Sequence, residues 1–159
     1  MVQVLVAFHS KTGSTRRMAE LVADGAREAG AEVLLKPIAE VAREELESAD
    51  AIIVGSPTYY GHCAGPVRTF FDESVRIHGK LSGKVGGAFT SSHNLGGGNE
   101  TTILGILESM LVHGMVIRGS VDGDHYGPVS LGPPDARAEE QCRALGDRVT
   151  ALASRLKGS

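Results

Sequence analysis

Tryptophan is absent from this chain, and the remaining aromatics are three tyrosines and four phenylalanines. Against that scarcity the adjacent pair Tyr59-Tyr60 stands out. Cysteine is scarcer still. Cys63 and Cys142 lie far apart and form neither a metal-ligand spacing nor a redox motif, which excludes a disulfide framework and a zinc site. No apolar run approaches the roughly 20 residues of a membrane span. The first residues show no basic stretch followed by a small-residue cleavage site, so the expectation is a reduced, cytoplasmic chain with no membrane partner. Charge of neither sign is in excess: 16 Lys and Arg stand against 19 Asp and Glu, a net of −3. That balance argues against nucleic acid as a partner. It also falls short of the strongly acidic surface of a carrier that docks on basic proteins.

Glycine, by contrast, is plentiful, with 21 residues and a run at Gly96-Gly97-Gly98. The 42% hydrophobic and 22% charged fractions are those of an ordinary globular protein. A length of 159 residues predicts one domain, 1–159, with a substantial core.

Apolar runs alternate with amphipathic ones. Strands are predicted at 2–8, 32–36, 50–55, 85–90 and 115–121, the first and third almost wholly apolar, as strands buried on both faces are. Helices are predicted at 14–29, near 41–47, and at 65–76, 100–112 and 136–157. In the last, Cys142, Leu145, Val149, Leu152 and Leu156 form one apolar stripe. Residues 122–135, rich in glycine and proline, read as an irregular surface loop. Five strands alternating with helices predict an α/β fold with a parallel sheet covered on both faces. Such sheets take ligands beyond the carboxyl ends of their strands, where the strand order reverses. The loops after strands one, three and four are therefore the places to look.

The first, Ser10-Lys11-Thr12-Gly13-Ser14-Thr15, joins a strand to a helix. First-turn N–H groups there lack intrahelical partners and the helix dipole favours an anion, so the loop reads as a phosphate cradle. It has neither the spacing of a triphosphate-binding loop nor that of a dinucleotide fingerprint. The same residues would also serve simply to turn the chain and cap the helix. The second loop runs from Gly55 to Pro66 through Pro57, Thr58, Tyr59, Tyr60 and Gly61. Its flat side chains and polar backbone suit a planar heterocycle; loop anchoring is the plainer role for the tyrosines. His62 and Cys63 follow, but a lone cysteine without a cationic neighbour reads as inert. The third loop, Thr90 to Thr102, is rich in hydroxyls and glycine, with Asn99 or a neighbour placed to cap the next helix. No metal-ligand cluster emerges.

Together, SKTGST, GSPTYYG, TSSHNLGGGNETT and the His113-Gly114-Met115 triplet resemble the flavodoxin-like FMN proteins, and more narrowly the WrbA-type NAD(P)H:quinone oxidoreductases, over roughly residues 2–156. The resemblance implies a three-layer fold with a five-stranded parallel sheet in the order 2-1-3-4-5 and FMN at the switch point. It implies that Ser10, Thr12, Gly13, Ser14 and Thr15 bind the phosphate. Pro57, Thr58, Tyr59, Tyr60 and Gly61 would run along the ring system. Thr90, Ser91, Ser92, Gly96 and Gly97 would hold the ribityl chain and the far ring edge. His113 matches a family histidine that reaches a flavin site, often a neighbouring subunit's; its position also suits a helix C-terminus capped by Gly114. The implied activity is two-electron reduction of a quinone by NADH or NADPH through FMN, in a homodimer or homotetramer. The alternatives are a flavodoxin-type carrier passing electrons between proteins, and a flavin-free regulatory module. The last needs clustered carboxylates where this chain has Ser10 and Ser56. Two features depart from the WrbA pattern. Thr12 replaces an aromatic residue, and the region of Ile77, His78 and Lys80 is shortened and lacks the family's tryptophan.

Overall fold

The computed structural model describes residues 1–158. The predicted apolar runs form strands, and the central ones are covered on both faces. In β1 (Gln3–Phe8), Val4 and Val6 point to one side of the sheet and Leu5 and Ala7 to the other, all essentially buried. α1 (Ser14–Glu28) returns the chain to β2 (Glu32–Pro37), which pairs parallel with β1. A short α2 (Arg43–Ser48) leads to β3 (Ala51–Tyr59), parallel to β1 on its other side. The strand order therefore reverses at β1, and the crevice between the β1 and β3 ends is the switch point.

Beyond β3 come β4 (His62–Cys63), α3 (Gly65–Glu73), β5 (Val85–Ser92), α4 (Asn99–Val112), β6 (Val116–Ile117), β7 (Val129–Leu131) and α5 (Ala136–Lys157). The sheet order is β2-β1-β3-β5-β6, with β4 on the end of β3 and β7 on the end of β5. The parallel order of the five main positions is the expected one, but the sheet has seven strands rather than five, for two local reasons.

First, β3 continues four residues past the predicted end at Gly55. Thr58 and Tyr59 pair antiparallel with Cys63 and His62, so the second loop is a hairpin. Its two-residue turn, Tyr60-Gly61, has φ of 49° and 81°. Two positive φ values match the right-handed twist of a hairpin. Second, the strand predicted at 115–121 holds its place for only Val116 and Ile117, beside Val85 and Gly86. The chain then loops out and returns as β7 beside Thr90, Ser91 and Ser92. Asp124 anchors the return, its carboxylate accepting from the Val129 N–H at 2.8 Å and from Arg137 Nη1 at 2.9 Å, while Arg137 Nη2 donates to the Val129 carbonyl at 2.6 Å. Gly127 lies so close to β5 that a Cβ there would sit 2.1 Å from the Ala88 carbonyl oxygen. The predicted third helix likewise ends at Glu73, and residues 74–77 tighten into a 3-10 turn.

One core lies under α1 and α5, around Met18, Leu21, Ile53, Phe89 and Leu145; the other lies under α3 and α4, around Leu5, Ile52, Val67, Ile103 and Met110. No helix among the described residues is long and apolar enough to cross a membrane. α1 and α5 touch backbone to backbone. A Cβ on Gly146 would sit 2.1 Å from the Val22 carbonyl oxygen, and one on Gly25 would sit 2.1 Å from that of Arg143. Gly146→Ala should therefore cost at least about 2 kcal/mol of stability. Gly105→Ala, whose Cβ would meet nothing within 4 Å, should be neutral or gain up to about 1 kcal/mol from helix propensity. Urea unfolding of the pair checks this; equal midpoints would show that the two helices separate freely.

Candidate functional site

The carboxyl ends of β1, β3 and β5 bound a cleft of about 260 Å³. Thr12, Ser14 and Thr15 line it from the first loop, Pro57, Thr58 and Tyr59 from the second, and Ser91 and Ser92 from the third. Three segments separated by dozens of residues thus meet where the sheet topology requires.

The first loop leaves backbone donors open at the start of a helix. The Gly13 N–H donates to Ser10 Oγ at 3.2 Å. Gly13 adopts φ +105° with nothing within 4 Å of where a Cβ would stand, so a ligand can approach its backbone. α1 then starts at Ser14 with no side chain capping it and no acid in its first turn, leaving first-turn N–H groups for a ligand. Thr15 is buried, its hydroxyl hydrogen-bonded to Ser91 Oγ at 2.8 Å; that bond ties the helix start to β5.

In the second loop, the Thr90 hydroxyl donates to the Ser56 carbonyl at 2.7 Å, so across their 2.8 Å contact Thr58 is the donor to Thr90. Thr90 is completely buried. Its side chain holds Thr58, which lines the cleft. Ser56 Oγ accepts from the Ala64 N–H at 2.8 Å, bracing the hairpin. Tyr59 is partly exposed at the cleft, whereas Tyr60, at the turn, is fully exposed. Tyr60 is also the one non-glycine residue with positive φ among those described, a conformation that costs about 1 kcal/mol or more. Gly61 packs on the third loop: a Cβ on Gly98 would sit 2.4 Å from its Cα, and its carbonyl accepts from Thr101 Oγ1 at 2.8 Å.

In the third loop, Gly98 precedes α4 and Asn99 is its first residue, so the expected cap is glycine. Gly96 and Gly97 belong to an exposed segment beside the cleft rather than to its wall. Three lining residues escaped sequence reasoning as ligand contacts: Lys11, His93 and Gly132. A surface lysine and a loop histidine carry no pattern, and Gly132 arrives only because β7 pairs with β5. No carboxylate lines the cleft.

His113 is not brought to these loops. It ends α4, about 21 Å of helix from Asn99. There it is buried, with Nε2 2.7 Å from Ser74 Oγ and its ring 5.8 Å from that of His78. Ser74 Oγ gives its one proton to the Phe71 carbonyl at 2.6 Å, so His113 Nε2 is the donor and the ring is the neutral Nε2–H tautomer. Nδ1 is buried without a partner. Burial, and then the nearby His78, lower the His113 pKa. The thiols are not activated either. Burial raises that of Cys63 and pushes that of Cys142 up to about 12. The described residues contain no group of three or more His, Cys, Asp or Glu that could hold a metal ion.

These features define a doubly wound α/β domain with an uncapped helix start beside a hydroxyl-lined cleft at its switch point. A flavodoxin-domain family model matches residues 5–129. A curated "NAD(P)H dehydrogenase (quinone)" of Archaeoglobus fulgidus is 38% identical, over 98% of this chain and 100% of its own. A curated "Flavodoxin" of Aquifex aeolicus is 41% identical, over 94% and 85%. The crystal structure of the flavodoxin, WrbA-like protein from Agrobacterium tumefaciens superposes with a TM-score of 0.83 at 30% identity, over 98% and 99%. The chain belongs to the flavodoxin family, in its WrbA-type branch.

A histidine whose folded pKa is lowered stabilises the fold fully above the unfolded value of about 6.5, and that contribution is lost as pH falls through the folded value. Acidifying from about pH 7.5 to about pH 5 should therefore destabilise the protein more than it does His113→Gln, measured as the shift in urea midpoint. Parallel shifts would show that the imidazole is free to ionise.

Proposed function

We propose that this protein is an FMN-dependent oxidoreductase that passes two electrons from NADH or NADPH to a quinone. The observation that carries the reading is the uncapped start of α1, opening with the hydroxyls of three loops onto a cleft that no carboxylate lines. That donor set fits a phosphorylated flavin: backbone N–H groups and hydroxyls for the phosphate, Lys11 for its charge, and a flat wall at Pro57 and Tyr59 for the ring. Ser10, Thr12, Gly13, Ser14 and Thr15 would hold the phosphate. The backbone of residues 57–61 would run along the ring, with Thr58 steadied by Thr90. Ser91, Ser92 and the Gly96-Gly97 segment would meet the ribityl chain and the far edge.

FMN, when bound, supplies the electron-accepting and electron-donating chemistry. The chain binds, orients and shields. Lys11 and His93 add positive or donor groups at the rim, suited to an anionic nicotinamide dinucleotide. The names of the Archaeoglobus fulgidus and Sinorhizobium fredii relatives, both NAD(P)H dehydrogenase (quinone), support the donor and acceptor. The exposed Val75, Leu111 and Val112 near the buried His113 support a homodimer or homotetramer in which that face meets a second copy. The Aquifex aeolicus relative named flavodoxin favours a second reading, an electron carrier with the same FMN site and no nicotinamide activity.

The purified protein should show a flavin absorption spectrum, directly or after loading with FMN. Without oxygen, NADH or NADPH should bleach it and benzoquinone restore it. Bound flavin that neither nucleotide reduces would favour the carrier, and failure to load would remove the FMN assignment. Ser14→Ala and Thr15→Val should each weaken FMN binding by about ten- to a hundredfold, the worth of one hydrogen bond to a charged group. Unchanged affinity in both, by fluorescence titration, would sink the phosphate cradle.

A further inference from the structure

Residues 93–97 form an exposed stretch of the third loop, while Asn99 beneath it is buried. The Asn99 carboxamide meets the loop at three points. Oδ1 accepts from the Gly96 N–H at 3.1 Å, and Nδ2 donates to Ser92 Oγ and, at 3.5 Å, to the Asn94 carbonyl. Ser92 Oγ closes the ring by donating to the same carbonyl at 3.0 Å. As the first residue of α4, Asn99 is fixed by the helix; the loop is in turn fixed by Asn99. Gly96 and Gly98, at φ of 68° and 106°, let the chain wrap this tightly.

We propose that Asn99 is the positioning residue of the ligand-facing third loop, its one side-chain amide governing the grip on the ring and ribityl part of the flavin and not on the phosphate. This rests on the FMN reading above. The amide is suited to the role because it presents an acceptor and two donors on one rigid plane. A carboxylate of the same shape keeps the acceptor for Gly96 but sets a negative charge against the Asn94 carbonyl; when protonated it regains one donor.

The test compares Asn99→Ala and the isosteric Asn99→Asp with wild type, titrating each with FMN and with riboflavin. Asn99→Ala should lose about tenfold in affinity for both flavins, leaving the FMN-to-riboflavin ratio within about twofold of wild type. Ser14→Ala should collapse that ratio. Asn99→Asp should bind both flavins weakly near pH 8 and recover toward pH 5 relative to wild type, as the buried carboxyl takes up its proton. His93 and Glu100, flanking Asn99 along the loop, and His62 and Cys63 on β4, which packs against α4, are shared with wild type and cancel in that comparison.

Hydrogen exchange gives a readout without flavin. The Gly96 amide should exchange at least about tenfold faster in Asn99→Ala, with the amides of β1 and β5 unchanged. Wild-type affinities in both variants, an unchanged Gly96 exchange rate, or a pH-independent Asn99→Asp would each overturn the inference. If wild type itself binds neither flavin while Gly96 exchange responds, the FMN reading fails and the loop-holding role stands without it. Loss of β1 and β5 protection in both variants would make Asn99 a residue of the fold and overturn its role in positioning.

Discussion

The site depends on a contact remote from it, the backbone-to-backbone crossing of α1 and α5 at Gly25 and Gly146. α1 carries the uncapped N–H groups at one end, and a helix is a rigid rod over that length. Its inclination on the sheet therefore sets where those groups point. With glycine on both sides, the helices approach until carbonyl oxygens occupy the space of the missing Cβ atoms, an arrangement with little room to slide. Arg143 on α5 reinforces it through Glu28 at 2.7 Å, though such an exposed pair contributes only tenths of a kcal/mol. Close packing does the positioning, and charge adds little.

At the site end, hydroxyls take over. Thr15 with Ser91, Thr58 with Thr90, and Ser56 with Ala64 connect α1, β3, β5 and the start of α3 through bonds of about the same length. Buried hydroxyls are expensive unless paired, and here each is paired across elements. The cleft walls are thus fastened to one another before any ligand arrives, which reduces the ordering that binding must otherwise supply. The hairpin turn at Tyr60-Gly61 is the exception. It keeps a non-glycine residue in a costly conformation and projects a tyrosine into solvent, held by the contacts of Gly61 with Gly98 and Thr101.

The parallel order of the main strands and the identity of the three loops were legible because burial on two faces and helix starts both leave strong patterns. Val4 to Phe8 and Ala51 to Val54 announce themselves by composition, and Ser10 to Thr15 by its place between strand and helix. The hairpin was not legible, because Tyr60 is an unfavourable residue for a turn that needs positive φ; Asn-Gly there would have signalled it. The split fifth strand was hidden by the same logic. Nothing in Val129-Ser130-Leu131 itself marks a strand; Asp124 and Arg137, on either side of it in the chain, bracket Val129 only once the loop has folded back. The bond from Thr90 to the Ser56 carbonyl was not legible either, since a hydroxyl-rich sequence does not reveal which hydroxyls face inward.

His113 shows how one helix can serve two surfaces. α4 begins at the loop held by Asn99 and ends at the imidazole held by Ser74, so the two lie at opposite ends of the strands. Within one chain, nothing at the His113 end can touch a ligand in the cleft. A role for that histidine in flavin chemistry therefore requires a second copy that brings its own α4 terminus over the first copy's cleft. The neutral Nε2–H tautomer limits what the residue offers there as it stands. Its donor is spent on Ser74, and its buried Nδ1 becomes available only if the ring turns. With that geometry His113 is a packing element of the α4 end.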